Sequence, residues 1–275
     1  MIDAARRSLR PRRRAVLAVV PVAVVLVGAL IVATFGHRSP TRLTLELSWA
    51  PPSAARPLGS GEAGVDLLGL VSHATVRALV LAMAVATVGF AVGTPLGIVA
   101  ALRGGALERW TLRASDLVQS FPTFLLALAV LSAVRAPSRF HIGVVFSIGA
   151  WAPFARMALV QARAISGAAF VEAARALGAA EGRVVFGHVL PNVLGPVAVQ
   201  IGTAAAGVVL GETALGFVGL GPPDGVSLGA LLEQGTFGML RAPHVLLTGS
   251  LAVIVVSGSL QLASEGVRAW ATREG

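Results

Sequence analysis

Long uncharged apolar runs constrain this chain more than any other feature. Residues 15–35, 78–102, 117–134, 193–211 and 245–264 contain no Asp, Glu, Arg or Lys, and a sixth run, 142–160, is charge-free until Arg156. A helix rising about 1.5 Å per residue crosses about 30 Å of hydrocarbon in roughly 20 residues, so each run suits one bilayer span. Their unbroken apolarity excludes a porin-type barrel, whose strands alternate apolar and polar residues. Composition agrees: 55% of residues are hydrophobic, only 13% are charged, and no lysine, cysteine or tyrosine occurs. Without lysine there is no Schiff-base chemistry and no phosphate-binding G-x-x-x-x-G-K-[ST] loop; without cysteine there is no disulfide, thiolate nucleophile or Cys-ligated metal. The expectation is an all-α integral membrane protein of six spans, with Pro21, Gly93, Pro95, Pro122, Pro153 and Pro196 interrupting them.

All 22 basic residues are arginine, and their distribution predicts the orientation. With the amino terminus inside, the cluster Arg6–Arg14, then Arg103, Arg109, Arg113, Arg156, Arg163, Arg175, Arg183, Arg268 and Arg273 face the cytoplasm. Arg38, Arg42, Arg56, Arg77, Arg135, Arg139 and Arg241 fall outside, so both termini are cytoplasmic. R-R-R-A-V-L at 12–17 also reads as a twin-arginine export signal, but the apolar run behind it is long for one and no good A-x-A site follows. Arginine at lipid headgroups explains the net charge of +9, and no nucleic acid is needed. The expected organisation is an Arg-rich cytoplasmic 1–14, a first span 15–35, an external loop 36–76 with an amphipathic surface stretch at 66–71, a five-helix core 77–267 and a cytoplasmic tail 268–275.

The longest inside loop, 161–192, has a pattern of its own. Phe170, Ala173, Ala174 and Leu177 recur at i, i+3, i+4 and i+7 and predict one helical face, with Glu172 and Arg175 paired on another. Gly178 suits a left-handed position that ends this helix; residues 179–188 restart helically, and Pro191 stops or kinks the second piece before it re-enters lipid. Two short helices at an angle suit a lever fitting a cleft on another protein; the plainer alternative is an amphipathic helix resting on headgroups.

Glu172-Ala173-Ala174, three residues to Gly178, then Leu190-Pro191, resembles the EAA loop of ABC importer permeases. The resemblance extends over residues 58–270 and is nearest to the C-type permease subunit of dipeptide, oligopeptide and nickel importers. It is carried by Asp116 with Phe121-Pro122, by Trp151, Phe154, Ala155 and Arg156, and by Glu212, Leu215, Phe217, Gly219, Leu220 and Gly221. There are departures. His188 and Val189 stand where an isoleucine precedes the closing Leu-Pro, and an element G-T-D-x-x-G-R-D survives only as Gly59, Ser60, Gly64 and Asp66, with Gly61 and Val65 replacing its first aspartate and its arginine. The stretch after Gly221 is shortened, with Leu228 in place of a tryptophan. The resemblance implies a six-span type I ABC importer membrane domain of the bacterial cytoplasmic membrane whose EAA loop is the coupling helix. It also implies a homologous B-type permease beside it, two ABC ATPase domains carrying ATP and Mg, and an extracytoplasmic solute-binding protein.

Other groups are weaker signals. Glu212, in V-V-L-G-E-T-A-L-G, is an intramembrane carboxylate and so a gate candidate, or a hydrated or paired group near the outer interface. Ser120, Thr123, Gln200 and Thr203 are polar inside spans and either line a path or bond back to their own helices. Arg156 reads as a headgroup anchor. His37, His73, His141, His188 and His244 form no metal-ligand spacing. A stand-alone secondary carrier is disfavoured by the shortage of mid-span carboxylates and the lack of inverted repeats, and an intramembrane enzyme by the missing nucleophiles.

Overall fold

A computed structural model describes the backbone of residues 2–36 and 38–271, and the side chains of 19–36 and 38–268. His37, Arg273 and the side chains of Arg6–Arg14 lie outside these. Among the described residues there are helices and no strands, only one isolated bridge between Ser60 and Asp66. The helices are α1 (Ile2–Phe35), α2 (Leu67–Arg103), α3 (Gly105–Ser120), α4 (Thr123–Ser132), α5 (Arg139–Ser166), α6 (Ala169–Ala176), α7 (Glu181–Val184), α8 (Leu190–Phe217), α9 (Leu228–Phe237) and α10 (Pro243–Ala271).

Four helical stretches, based on α2, α5, α7–α8 and α10, are each long and apolar enough to cross a membrane. The pair α3 and α4, bent by 67°, is apolar enough to make a fifth when taken together as one broken span. The expected third span, 117–134, is therefore not one rod. Pro122 has no N–H to donate and pushes Phe121 into extended geometry (φ −93°, ψ 124°), so the helix breaks there. Of the expected first span, 15–35, α1 contributes the described apolar stretch Val19–Phe35, which runs beside α10 and α2.

The tightest packing joins α2 to α5. Gly89, Gly93 and Gly97 recur every four residues on the α2 face that meets α5. A β-carbon at Gly89 would lie 2.7 Å from the Ala150 carbonyl oxygen, and at Gly93 and Gly97 it would overlap the carbonyl oxygens of Trp151 and Ala155. On the α5 side Phe154, Ala155 and Ala158, which those β-carbons would meet, are all fully buried. Lipid tails are as apolar as leucine, so helices associate in the bilayer by such close van der Waals contact, and small residues permit it. The remaining core is built around this pair, with Ala205, Val208, Val209 and Leu215 of α8 and Val256 and Leu260 of α10 closing over Ala78, Ala82, Val85 and Phe146.

The segment before α2 differs from the expected loop with a surface helix. Asp66 is the N-cap of α2, accepting from the Gly69 N–H at 2.9 Å and pairing with Arg38 at 2.6 Å, so the stretch at 66–71 is the beginning of α2 itself. Two short 3₁₀ turns, Leu45–Leu47 and Glu62–Gly64, fold back over this end of the bundle. There Trp49, Leu58 and Val65 pack on Leu67, Leu228, Leu231 and Val245. Gly59, Ser60, Gly64 and Asp66 all belong to this cap, in which Ser60 is fully buried and bonds the Leu47 carbonyl at 2.6 Å.

Replacing Gly93 by leucine should force α2 and α5 apart and cost about 1–3 kcal/mol or more. Thermal unfolding of the detergent-solubilised protein checks this against Gly28→Leu, where nothing lies within 4 Å of the added β-carbon and the melting temperature should hold.

Candidate functional site

At the end of the bundle where α5 stops and α8 begins, α6 stands outside the helical core on a single apolar anchor. Val171 is fully buried among Ile98 of α2, Phe154, Ala158 and Ala162 of α5, and Val184, Val189, Val193 and Val197 of the returning chain. The face predicted from Phe170, Ala173, Ala174 and Leu177 is the one turned outward: Phe170 is 52% and Leu177 89% exposed, and Ala173 is exposed as well. The residue that holds the helix is one that this periodicity omits.

The exit from α6 is a Schellman turn. Gly178 takes φ +82°, its N–H bonds the Arg175 carbonyl at 2.9 Å, and the Ala179 N–H bonds the Ala174 carbonyl at 3.0 Å. No side chain crowds Gly178, so only the left-handed backbone requires glycine there. The expected Glu172–Arg175 pair does not form. The turn brings α7 back to Arg175, whose Nε bonds Glu181 at 3.1 Å and whose guanidinium also reaches the Ser166 carbonyl. Glu172 is exposed in the first turn of α6, where a carboxylate complements the helix dipole.

Pro191 does not stop the helix either. α7 passes into α8 through a π-helical turn, Val185–Val189, in which the Leu190 N–H reaches back to the Val185 carbonyl. Pro191 then sits in the first turn of α8, directly after this wider turn. The wider turn has a packing reason. Val184 and Val189 are five apart and both fully buried, a spacing that an α-helix cannot keep on one face but a π turn can. Leu190 is partly buried against the same cluster, and the His188 ring meets Phe170 edge-on at 6.1 Å.

Behind α6, two ion pairs tie α3 to α5: Arg163 with Glu108 and, about two turns along, Arg156 with Asp116. Arg156, read as a headgroup anchor, thus has a carboxylate partner instead. The polar path candidates are not gathered in one place. Ser120 bonds back to the Leu117 carbonyl, Thr123 is exposed beside Gly149 at the α3–α4 bend, Gln200 is half-buried on α8, and Thr203 shares a 3.2 Å hydrogen bond with Ser264 of α10.

At the opposite end of the bundle, Glu212 is only 2% exposed and its Oε2 has no hydrogen-bond partner. Beyond it, the turn after α8 presents a residue that sequence reasoning passed over. Asp224 accepts from Arg77 of α2 at 2.6 Å, from Arg139 of α5 at 3.2 and 3.3 Å and from the Val226 N–H at 3.1 Å, joining three elements through one carboxylate. Burial alone would raise the pKa of Asp224. The hydrogen bonds from Arg139, Val226 and Arg77, with the charge of Arg139, outweigh burial and hold it below the usual carboxylate value. The signal available in the sequence was an aspartate in a G-P-P-D-G turn, with arginines near the starts of two spans.

Residues 93–270 match the family model described as "Binding-protein-dependent transport system inner membrane component". The chain belongs to this family. Among its relatives is the oligopeptide transport system permease protein OppC of Mycobacterium tuberculosis, 28% identical over 221 residues, which are 79% of this chain and 76% of the relative. The glutathione transport system permease protein GsiD of Pectobacterium atrosepticum is 29% identical over 218 residues, 79% of this chain and 72% of its own. The probable D,D-dipeptide transport system permease protein DdpC of Escherichia coli is 27% identical over 251 residues, covering 90% and 84%. The all-helical bundle is accordingly the membrane domain of a type I ABC importer, and the chain is a multi-pass permease component of the inner membrane, not a stand-alone carrier. The matched region holds α6, its Schellman turn, Glu212 and Asp224.

Because the folded pKa of Asp224 lies below the unfolded value of about 3.9, its stabilisation is complete well above that pH and is lost as pH falls through the folded value. Asp224→Asn should therefore lower the melting temperature at neutral pH, and the gap to the parent should close below about pH 4. Unfolding followed at stepped pH measures it; a gap independent of pH would dismiss the assignment.

Proposed function

We propose that this chain forms one half of the translocation path of an ATP-driven importer of peptides or a related nutrient, and that α6 is its coupling helix. The observation carrying this reading is the outward apolar face of α6, with Leu177 89% exposed, on a helix whose one buried residue is Val171. A helix merely resting on headgroups needs no Schellman turn and no ion pair back to Glu181. A helix that must transmit force needs a fixed angle, and both supply one.

In this reading the α6 end faces the cytoplasm, as the arginine distribution indicates, and both termini lie inside. Phe170, Ala173, Ala174 and Leu177 enter a cleft on an ATPase domain, Glu172 contacts its rim, Arg175 and Gly178 hold the angle, and Leu190 and Pro191 pass the motion to α8. Two ATPase domains bind ATP and Mg and hydrolyse the nucleotide; this chain does none of that chemistry. A homologous B-type permease closes the path, and an extracytoplasmic solute-binding protein delivers cargo to the opposite end. Glu212, Gln200 and Thr203 of α8, with Ser120 and Thr123 at the α3–α4 bend, are the polar groups offered to the path. Peptide cargo is supported by the names of the relatives, which are permeases of oligopeptide, glutathione and dipeptide systems.

Gly178→Val places a β-branched residue at φ +82°, costing about 1–2 kcal/mol at the turn, and should uncouple ATP hydrolysis from uptake in the reconstituted complex at unchanged assembly. Parental transport and ATPase rates would refute the lever. Glu172→Arg should weaken ATPase docking, read as loss of co-purification in mild detergent, while the melting temperature of this chain is unchanged because Glu172 is exposed.

A further inference from the structure

The end of the bundle far from α6 contains two unsatisfied groups of opposite charge. Glu212 Oε2 is buried without a donor, and Arg139 Nε, on the first residue of α5, is buried without an acceptor. The terminal nitrogens of Arg139 are occupied, by both oxygens of Asp224 and by the Val226 carbonyl. Gly211, the residue before Glu212, lies against the Phe146 ring of α5, about two turns along that helix from Arg139. α8 ends at Phe217, five residues past Glu212, which puts the buried carboxylate about 7.5 Å below the end of the helix whose following turn carries Asp224. The guanidinium held at that turn is bonded to one carboxylate, and a second lies on the preceding helix, about one and a half turns before that helix ends.

A buried carboxylate lacking any partner is expensive in a low-dielectric interior, and so is a buried guanidinium nitrogen. Either the carboxylate stays neutral and plays a static part, or the protein has another arrangement in which the two groups meet. The details at Asp224 favour the second. Asp224 is 39% exposed and remains paired to Arg77 if Arg139 leaves, so departure of Arg139 strands no charge there. Arrival of Arg139 at Glu212 would satisfy two orphans together.

We propose that Arg139 exchanges between Asp224 and Glu212, and that this exchange latches and releases the far ends of α5 and α8 during transport. Arg139 and Glu212 are then positioning residues of the transport cycle, and Glu212 meets the path as a gate. The exchange itself stands on the geometry; only its place in a cycle rests on the importer reading above.

A double-mutant cycle on the purified protein tests the exchange. In the parent, Arg139 sits on Asp224, and Glu212→Gln removes a buried carboxyl group that has no partner, so the melting temperature should stay or rise. In the Asp224→Asn background Arg139 turns to Glu212, and the same Glu212→Gln change should lower the melting temperature by roughly 2–4 °C. Equal shifts of the same sign in both backgrounds would overturn the proposal, since a static role for Glu212 predicts them. A second measurement does not depend on how Asp224→Asn folds. The chain has no cysteine, so labels can be placed uniquely at Ala136→Cys and Pro223→Cys, exposed positions flanking the bridge. In the complete reconstituted complex the label distance should change on nucleotide addition, and Glu212→Gln should abolish the change while assembly is kept. A Glu212→Gln complex that moves like the parent refutes the exchange. A parent complex that neither moves nor transports with ATP refutes the importer reading instead, and leaves the exchange to be decided by the thermal cycle.

Discussion

Close backbone contact between α2 and α5 is the constraint on which the remaining geometry hangs. In lipid no hydrophobic force pushes two apolar helices together, so the pair must be held by dispersion over surfaces that fit, and Gly89, Gly93 and Gly97 let carbonyl oxygens of α5 lie where side chains would normally stand. Once α5 is seated, its two ends are placed without further choice. At one end Phe154, Ala158 and Ala162 form the floor on which Val171 rests, so α6 is positioned by α5 more than by its own sequence. At the other, Arg139 is brought beside Arg77 of α2, and the two guanidiniums share Asp224.

Much of this was legible and some was not, for physical reasons. The apolar runs announced the spans, and Gly178 announced its turn, because bilayer thickness and left-handed backbone are local demands that a short stretch of residues must meet by itself. The bend at Phe121-Pro122 was also written locally, but an uncharged run that bends looks the same as one that does not. Partner choice was not local. Arg175 had an acidic residue three positions before it and another six after it, and the turn geometry decided for Glu181. Val171 could not be chosen from periodicity, since the face of a helix that is buried depends on what lies beneath it, and α6 keeps its broader apolar face exposed. Gly93 was read as an interruption of its span, whereas with Gly89 and Gly97 it is a contact face, because the partner that gives the repeat its meaning, α5, is far away in the chain. The π turn could be understood only after Val184 and Val189 were both found buried.

The use of arginine alone fits these contacts. A guanidinium offers a rigid fork of donors, so Arg139 can engage two carboxylate oxygens and a carbonyl together, and Arg175 a carboxylate and a carbonyl, which a lysine point charge does with less geometric definition. The Arg156–Asp116 and Arg163–Glu108 pairs differ in kind. The arginines there are more than half exposed, where an ion pair contributes little stability, so their effect is to set the register of α3 along α5 more than to hold it there.

α5 therefore links α6, the surface proposed to receive force, to a charge cluster through one helix. Its 28 residues span about 42 Å, so a tilt of about 10° about its α6 end would displace Arg139 by about 7 Å, within the range of rigid-body rotations that proteins use. Hydrogen bonds of 3.2 and 3.3 Å to Asp224 do not survive such a displacement unless the α8–α9 turn moves along. Asp224 is also fixed to Arg77 of α2 at 2.6 Å, which keeps its carboxylate paired once Arg139 has left. A single carboxylate on that turn can serve only one position of Arg139. A second carboxylate lower on α8 gives Arg139 a place in the other position, which is the physical reason for a charged residue in a segment as apolar as the one around Glu212.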